Sequence, residues 1–307
     1  MPTTAPILDG RSWALLLALA FLWSISFIFM KVAVEDLPIL TLVLIRVGLA
    51  ALVLHALVLA QRRRYPRRPS VLARYGLMAV FNNVLPGVLI VYATSQIGAG
   101  SASILNATVP IFALVLAHFV TADEKITLAK LAGIMLGLAG VAAMSGRQAL
   151  SGLTGDVLAV LAMLTATFCY AIANLIGRSF GGTDPTVSAT CQLTAAALLL
   201  APAALFLDQP WTLPAPGAAA LLAAVALALV STALAYVLFF KLIARAGATN
   251  TSLVTLLIPV GGVLLAWAIL SEPITLQKVA GMCLIGLGLV VIDGRALGRL
   301  SKASRSA

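Results

Sequence analysis

The chain contains the stretch EKITLAKLAG at residues 124–133 and a second stretch, EPITLQKVAG, at residues 272–281. The two align without a gap and are identical at seven of ten positions. Pro110 lies fourteen residues before the first glutamate, and Pro259 lies thirteen residues before the second. A shared helical composition produces scattered matches rather than a matching block with matching flanks. We therefore interpret the two stretches as parts of an internal duplication.

The composition around this repeat is that of a membrane protein. Of the 307 residues, 62% are hydrophobic and 10% are charged, and the mean hydropathy is +1.09. A soluble domain has about 45–50% apolar and about 25% charged residues. The values exclude a disordered chain, a coiled coil, a disulfide-rich module and an ordinary soluble enzyme. They predict a polytopic helical protein, because each membrane span needs about 20 apolar residues.

Breaks in the apolar pattern divide the chain into ten candidate spans. The spans are Trp13–Met30, Ile39–Ala60, Gly76–Thr94, Ser101–Val120, Leu128–Ser145, Val157–Ile176, Val187–Phe206, Ala218–Leu242, Ser252–Leu270 and Leu276–Ile292. Because each repeat would hold five spans, an odd number, the two copies lie in opposite orientations. We expect an all-α polytopic membrane protein, with ten transmembrane helices built from two inverted five-helix repeats. The first repeat would occupy residues 1–146 and the second residues 155–293, followed by a basic tail at residues 294–307.

The distribution of basic residues indicates the orientation. With the N-terminus inside, 16 of the 20 Lys and Arg residues fall in cytoplasmic segments, three fall outside and Arg46 lies within a span. Cytoplasmic loops of membrane proteins carry such an excess. We expect both termini in the cytoplasm. The same rule accounts for the net charge of +10, so we expect no nucleic-acid partner.

Each half has a span that carries a proline, ends near a glutamate and precedes a glycine-rich helix. These features run from Pro110 to Glu124 and from Pro259 to Glu272. On these motifs the chain resembles the EamA family of the drug/metabolite transporter superfamily over nearly its whole length. The stretch WSISF at residues 23–27 also resembles the start of that family's first helix, where Trp-Gly is common; here a serine replaces the glycine. The chain is most similar to bacterial YddG-type exporters of aromatic amino acids or metabolites.

The resemblance implies a secondary transporter of the bacterial inner (plasma) membrane. Such a carrier would export amino acids or related small metabolites by alternating access, with a central cavity between the two repeats. The alternatives are an importer or exchanger of another small organic solute, such as a sugar, a nucleotide precursor or a drug, and a channel. The sequence has no P-loop, no HExxH motif and no intramembrane Asp pair, so we expect no enzyme, no cofactor and no metal. The expected partners are a small-molecule substrate and the lipid bilayer, and the oligomeric state stays open, a monomer included.

Polar and aromatic residues within the spans are the candidates for a solute site. Asparagine is costly against lipid, so these side chains should face the bundle interior. They either fasten helices to one another or line a cavity whose aromatic walls suit an apolar or aromatic solute. The expected cavity-lining residues are Trp23, Asn82, Tyr92, Asn106, Tyr170, Asn174, Tyr236 and Ser252. Pro86, Pro110 and Pro259 are expected to bend helices or to take part in gating.

Charged residues are scarce within the spans. All ten carboxylates fall at span ends or in loops, which argues against the buried carboxylate relay that many ion-coupled carriers use. Arg46 lies seven residues after Ile39, about 10 Å along a helix. Its side chain could bind a substrate carboxylate, or it could snorkel to the outer interface or have a structural role. Glu124 and Glu272 either cap the next helix or act in gating.

Glycines mark the last span of each repeat. Gly133, Gly137 and Gly140 lie in the fifth span, and Gly281, Gly286 and Gly288 lie in the tenth. Small residues at such spacings let helices approach closely. The two spans could form a peripheral pair within the chain or a dimer surface.

Overall fold

The computed structural model describes residues 8–152, 157–180, 182–270 and 274–293, and within them the chain is helical without a strand. The α-helices are α1 (Gly10–Ala33), α2 (Ile39–Ala60), α3 (Pro69–Ala79), α4 (Leu85–Asn106), α5 (Val109–Val120), α6 (Leu128–Gly152), α7 (Val157–Arg178), α8 (Pro185–Ala203), α9 (Ala218–Ala228), α10 (Ala235–Ser252), α11 (Val254–Leu270) and α12 (Leu276–Asp293). In this described part, six helical stretches are long and apolar enough to cross a bilayer, and four shorter apolar helices accompany them. The predicted fold class, an all-α polytopic membrane protein, is confirmed. The predicted break between the third and fourth spans at residues 95–100 is wrong, because α4 continues through it to Asn106 and the chain breaks just before Pro110. The predicted basic tail at residues 294–307 lies outside the described residues.

Apolar side chains lie both inside the bundle and on its outer faces. Bulky residues that are fully buried include Leu16, Tyr75, Met163, Leu242 and Leu253. Large apolar side chains on the outside include Leu52, Leu59, Phe119, Leu198 and Leu222. In a bilayer these exposed faces contact acyl chains, which are as apolar as leucine. Apolar surface is therefore not confined to the interior.

The third and eighth spans are each interrupted near the middle by a π turn. Val80–Val84 forms the first turn, between α3 and α4, and Leu229–Leu234 forms the second, between α9 and α10. The turns are repeat-equivalent, because the interval of 149 residues from Pro110 to Pro259 also separates their first residues. π turns are rare and often mark functional sites. Their presence in both halves directs attention to the middle of these two spans.

Different local chemistry widens the two turns. Pro86 has no N–H, and in a regular α-helix its ring would clash with the carbonyl of Asn82. The wider turn relieves this clash, and the N–H of Leu85 bonds to the carbonyl five residues earlier. In the second turn Thr232 donates its hydroxyl to the Leu227 carbonyl at 2.8 Å, again five residues earlier.

The last helices of the two repeats, α6 and α12, meet at backbone distance. A Cβ atom at Gly133 would lie 2.5 Å from the carbonyl oxygen of Gly288, and one at Gly140 would lie 2.6 Å from that of Gly281. No larger residue fits at such separations without moving a helix. These glycines therefore serve packing within the chain, as the first of the two sequence interpretations held, whereas a Cβ atom added at Gly286 would have nothing within 4 Å.

The repeated motif also begins each of these helices. Thr127 accepts a hydrogen bond from the N–H of Lys130 at 3.2 Å, and Thr275 accepts one from the N–H of Lys278 at 3.3 Å. A hydroxyl that accepts from the N–H three residues on acts as a helix N-cap. The threonine that the two copies share therefore has the same structural role in both halves.

Candidate solute-binding site

Side chains from six spans meet beside the two π turns. Tyr236 donates its hydroxyl to the side-chain oxygen of Asn83 at 2.9 Å, and Arg46 Nε donates to the hydroxyl oxygen of Thr232 at 2.7 Å. Trp23 packs edge-on against Tyr236, with ring centroids 6.4 Å apart. We call the residues gathered here the central cluster: Trp23, Arg46, Asn83, Tyr170, Gln192, Thr232 and Tyr236, together with Asn82, which precedes Asn83 in the first π turn.

The Arg46 charge reaches several members of the central cluster. Its guanidinium lies close enough to the hydroxyls of Tyr170 and Tyr236 to interact with both electrostatically. The amide of Gln192 lies beside the Tyr236 hydroxyl. The half-buried members are Trp23, Arg46, Asn82 and Tyr170, and the buried ones are Asn83, Gln192, Thr232 and Tyr236. The cluster is therefore an interior site in which four residues keep part of their surface uncovered.

Several polar atoms in and beside the central cluster are buried without a hydrogen-bond partner among the described residues. They are Nδ2 of Asn82, Nδ2 of Asn83, Nε2 and Oε1 of Gln192, and Oγ of Ser231 in the second π turn. A buried polar group that is left unpaired is unfavourable, and in native proteins such groups are rare. A polar ligand or water bound at the cluster would satisfy them.

The predicted cavity-lining residues fall into two groups. Trp23, Asn82, Tyr170 and Tyr236 belong to the central cluster. The other four are placed as follows: Tyr92 is 36% exposed on α4, Asn106 is half-buried at the end of α4, Asn174 is buried one helical turn after Tyr170 on α7, and Ser252 is buried at the end of α10. The Ser252 hydroxyl donates to the Thr249 carbonyl at 2.6 Å, so its hydrogen is already used by its own helix.

Four members of the central cluster were not among the predicted site residues. Asn83 and Thr232 carry a signal in the sequence, because they are separated by the same 149 residues as the prolines of the two repeats. Arg46 was weighed between binding a solute carboxylate and a snorkelling or structural role, and its Nε bonds to a buried hydroxyl of another span, which favours the interior over the outer interface. Gln192 gave no signal beyond being an amide in an apolar run.

A second polar group joins the two halves at one end of the bundle. Arg178, at the end of α7, contacts Glu124 and Asp123 at 2.7 Å each. The Glu124 carboxylate also accepts the backbone N–H groups of Ala248 and Thr249, both at 2.8 Å. We call these contacts the Glu124 clamp. Every residue from 246 to 256 is buried, so the bundle is closed at this end.

The Glu124 clamp corrects one sequence interpretation. Glu124 does not cap the following helix, because Thr127 already does so. It caps instead the segment after Gly247, where α10 breaks with φ 80° and ψ 178°, a backbone conformation that favours glycine. The repeat-equivalent Glu272 lies outside the described residues. In the clamp, the hydrogen bond from Arg178 holds the pKa of Asp123 below its ordinary value.

The remaining prolines of interest lie where spans change direction or meet. Pro110 is the second residue of α5, a position whose N–H would be unpaired in any case. Pro259 lies inside α11. Next to it, Ser24 on α1 donates its hydroxyl to the Ile258 carbonyl at 2.9 Å, so α1 and α11 meet closely beside this proline.

Comparison of the sequence with known protein families shows to which family the chain belongs. The model of the EamA-like transporter family matches the chain twice, over residues 11–146 and 157–293. The chain belongs to the EamA-like transporter family. The resemblance expected from the sequence is therefore confirmed, and the protein is a membrane transporter.

Relatives of this EamA-like transporter span nearly its whole length. A protein of Streptantibioticus cattleyicolor described as a probable terminal-alkyne amino-acid exporter is 28% identical, with 97% of this chain and 98% of that protein covered. A protein of Escherichia coli described as a probable amino-acid metabolite efflux pump is 27% identical, with 92% and 95% covered. One solved crystal structure, 19% identical, matches with a TM-score of 0.75 over 92% of this chain and 96% of the other. It has the same fold.

Proposed function

We propose that this transporter exports amino acids or related small metabolites across the bacterial inner membrane by alternating access. The observation that carries the proposal is the central cluster, in which side chains of both repeats converge on two equivalent π turns. Inverted repeats of secondary transporters bind solute where the halves meet, near the bilayer midplane. The descriptions of the two relatives supply the expected solute class and direction.

The proposal assigns one repeat to residues 1–146 and the other to residues 155–293, with both termini in the cytoplasm. The 16-to-3 distribution of basic residues supports this orientation. It places the Glu124 clamp at the cytoplasmic side. The described conformation is then closed towards the cytoplasm, and export requires the clamp to open so that solute can enter from inside the cell.

Within the site, the aromatic rings of Trp23, Tyr170 and Tyr236 would flank the solute side chain, and Asn82 would donate to its polar groups. Tyr92, Asn106 and Asn174 are proposed to line the path to the central cluster. For Ser252 we propose a structural part in this lining, since its hydrogen is bonded within its helix.

Counterflow in proteoliposomes tests the proposal. Proteoliposomes that contain the purified protein are loaded with unlabelled solute. The entry of labelled amino acids and sugars into them is then followed without an imposed pH, sodium or voltage gradient. We expect saturable counterflow of one or more amino acids, because the sequence predicts all ten carboxylates at span ends or in loops and none near the bilayer midplane, where an ion would be coupled. Flux that does not saturate would indicate a channel, and counterflow of a sugar alone would indicate the alternative solute class.

Asn82→Ala examines the site within the same assay. Loss of one hydrogen bond to the solute costs about 0.5–1.5 kcal/mol, or about 2–12-fold in affinity. Thr165→Ala is the control, since the exposed Thr165 hydroxyl donates to the Leu161 carbonyl of its own helix at 2.8 Å, and its apparent affinity should equal that of the wild type. Equal affinities for the wild type and both variants would show that Asn82 does not bind the solute and would favour a role in hydrogen bonding between helices.

A further inference from the structure

Arg46 is a charge within a membrane span that has no acidic partner in the described part of the chain. The four ion pairs found there involve Arg63, Arg178 and Arg245, and none involves Arg46. The acid of a neighbouring span end, Asp208, binds the N–H and the hydroxyl of Thr41 at the start of α2. Charged residues inside a membrane are costly, and where they persist they face the interior or a water-filled cavity, pair with one another or with backbone carbonyls, and mark substrate pathways. Within the described residues, no carboxylate therefore neutralises the Arg46 charge, and an anionic ligand could do so.

The surroundings hold the Arg46 side chain in one orientation. Thr232 uses its hydroxyl hydrogen on the Leu227 carbonyl at 2.8 Å, so its oxygen remains as an acceptor for Nε of Arg46 at 2.7 Å. This bond occupies only Nε and leaves the two terminal nitrogens of the guanidinium for a ligand. A guanidinium presented in this way matches the two oxygens of a carboxylate with two parallel hydrogen bonds.

The neighbouring orphaned groups are mostly donors. Asn82 and Asn83 each leave an amide nitrogen unpaired among the described residues, and the oxygen of Asn83 already accepts from Tyr236. Gln192 leaves both its nitrogen and its oxygen unpaired within the same part of the chain. Donors suit an anionic oxygen, whereas the Gln192 oxygen suits an ammonium group. The set therefore complements a molecule that carries a carboxylate and, next to it, an amine.

We propose that Arg46 is the carboxylate-binding residue of the transport site, and that the transported solute must carry a free carboxylate. This inference rests on the proposed function, because it places the solute in the same central cluster. It narrows the solute class to amino acids and other organic carboxylates, and it excludes amines, amides and neutral sugars.

The test compares acids with their amides, which are nearly equal in size and lack the anionic oxygen. Binding to the purified wild-type protein is measured from the thermal stabilisation given by L-phenylalanine, L-leucine and benzoate, and by L-phenylalaninamide, L-leucinamide and benzamide. At least one acid should bind at least about tenfold more tightly than its amide, the loss expected for a hydrogen bond to a charged group. Amides that bind as tightly as all three acids, or binding of inorganic phosphate in preference to them, would overturn the proposal.

Three variants separate recognition from structure. Arg46→Gln should bind each acid and its amide equally, whereas Arg46→Lys should keep a preference for the acid. Arg178→Gln is the matched control, because it removes an arginine from the Glu124 clamp and should leave the acid preference unchanged. An acid preference that persists in Arg46→Gln contradicts the assignment. If Arg46→Gln does not fold, the acid-to-amide ratio of the wild type decides alone.

The proposed function and this inference can fail separately. If benzoate binds in an Arg46-dependent way and no amino acid shows counterflow, the amino-acid proposal fails and the carboxylate site stands. If amino acids show counterflow and their amides compete equally well, the transporter function stands and the assignment of Arg46 fails.

Discussion

Replacing Glu124 by glutamine should loosen the Glu124 clamp and open the end of the bundle that it closes. The Glu124 side chain is 2% exposed, and its two oxygens accept from Arg178, Ala248 and Thr249. Glutamine keeps one oxygen and turns an NH₂ group towards a backbone N–H. A hydrogen bond to a charged group is worth about 1.5–3 kcal/mol, and an orphaned buried donor costs about 1–3 kcal/mol. The sum agrees with the roughly 3–5 kcal/mol observed when a buried ion pair loses one member.

Because the clamp joins the two halves, this loss of stabilising free energy should make the closed end more accessible to a reagent in solution. At about 3 kcal/mol, the ratio of open to closed forms rises about 150-fold. Thr251, which is 1% exposed beyond the Gly247 break, can report on this change as Thr251→Cys in a chain whose native cysteines have been replaced. The measured quantity is the rate of maleimide labelling of the purified protein, with and without Glu124→Gln.

Asp123→Asn is the matched control for this experiment. The Asp123 side chain is 19% exposed and contacts only Arg178 within the clamp, so its removal should cost about 1 kcal/mol or less. We expect a labelling rate within about fivefold of the unmodified background. Equal labelling rates for Glu124→Gln and Asp123→Asn would show that the backbone caps at Ala248 and Thr249 do not hold this end closed.

Three further predictions concern packing, pH and orientation. Gly140→Ala should destabilise the protein by about 1–3 kcal/mol, because its Cβ would lie 2.6 Å from the Gly281 carbonyl oxygen. Gly286→Ala is the control and should melt like the wild type, because nothing lies within 4 Å of its added Cβ. Equal melting temperatures for the two variants would contradict the close contact of α6 and α12. The Arg178 hydrogen bond lowers the pKa of Asp123, so the stability it contributes is present above its unfolded pKa of about 3.9 and is lost only as the pH falls through the lowered folded value. The difference in melting temperature between wild type and Asp123→Asn should therefore be constant from pH 7 to pH 5, and a difference that shrinks over that range would refute the ion pair. A cysteine added at the C-terminal end, again without native cysteines, should be labelled only after permeabilisation, and labelling in intact cells would reverse the proposed orientation.

The membrane-spanning architecture could be predicted from the sequence because a bilayer demands length and apolarity from every span. The duplication could be predicted because its key residues have local roles, such as the N-cap at Thr127 and Thr275, that depend on near neighbours in the chain. Such roles leave short, conserved spacings that survive in both copies. No contact between distant residues had to be known for either inference.

The contacts of the site could be predicted only in part, because they join residues far apart in the chain. Tyr236 and Trp23 were found because aromatic side chains within spans are conspicuous. The direction of the Arg46 side chain depends on Thr232, 186 residues away, and the cap made by Glu124 depends on amides 124 and 125 residues away. The first π turn has a local signal in Pro86, whereas the second has no proline and is marked only by the bond from Thr232 to the Leu227 carbonyl.

The glycine contact of α6 with α12 has the self-complementarity of an isologous interface. Gly133 meets Gly288 and Gly140 meets Gly281, while Gly133 corresponds to Gly281 and Gly140 to Gly288 at a constant interval of 148 residues. Each patch therefore touches the counterpart of the other, as in a twofold homodimer. The glycine positions do not distinguish one half of the chain from the other, although the neighbouring side chains do, since Gly133 faces Ile292 and Gly281 faces Met144. Two copies of a single five-helix unit, inserted in opposite directions, could meet through the same surface without any covalent link.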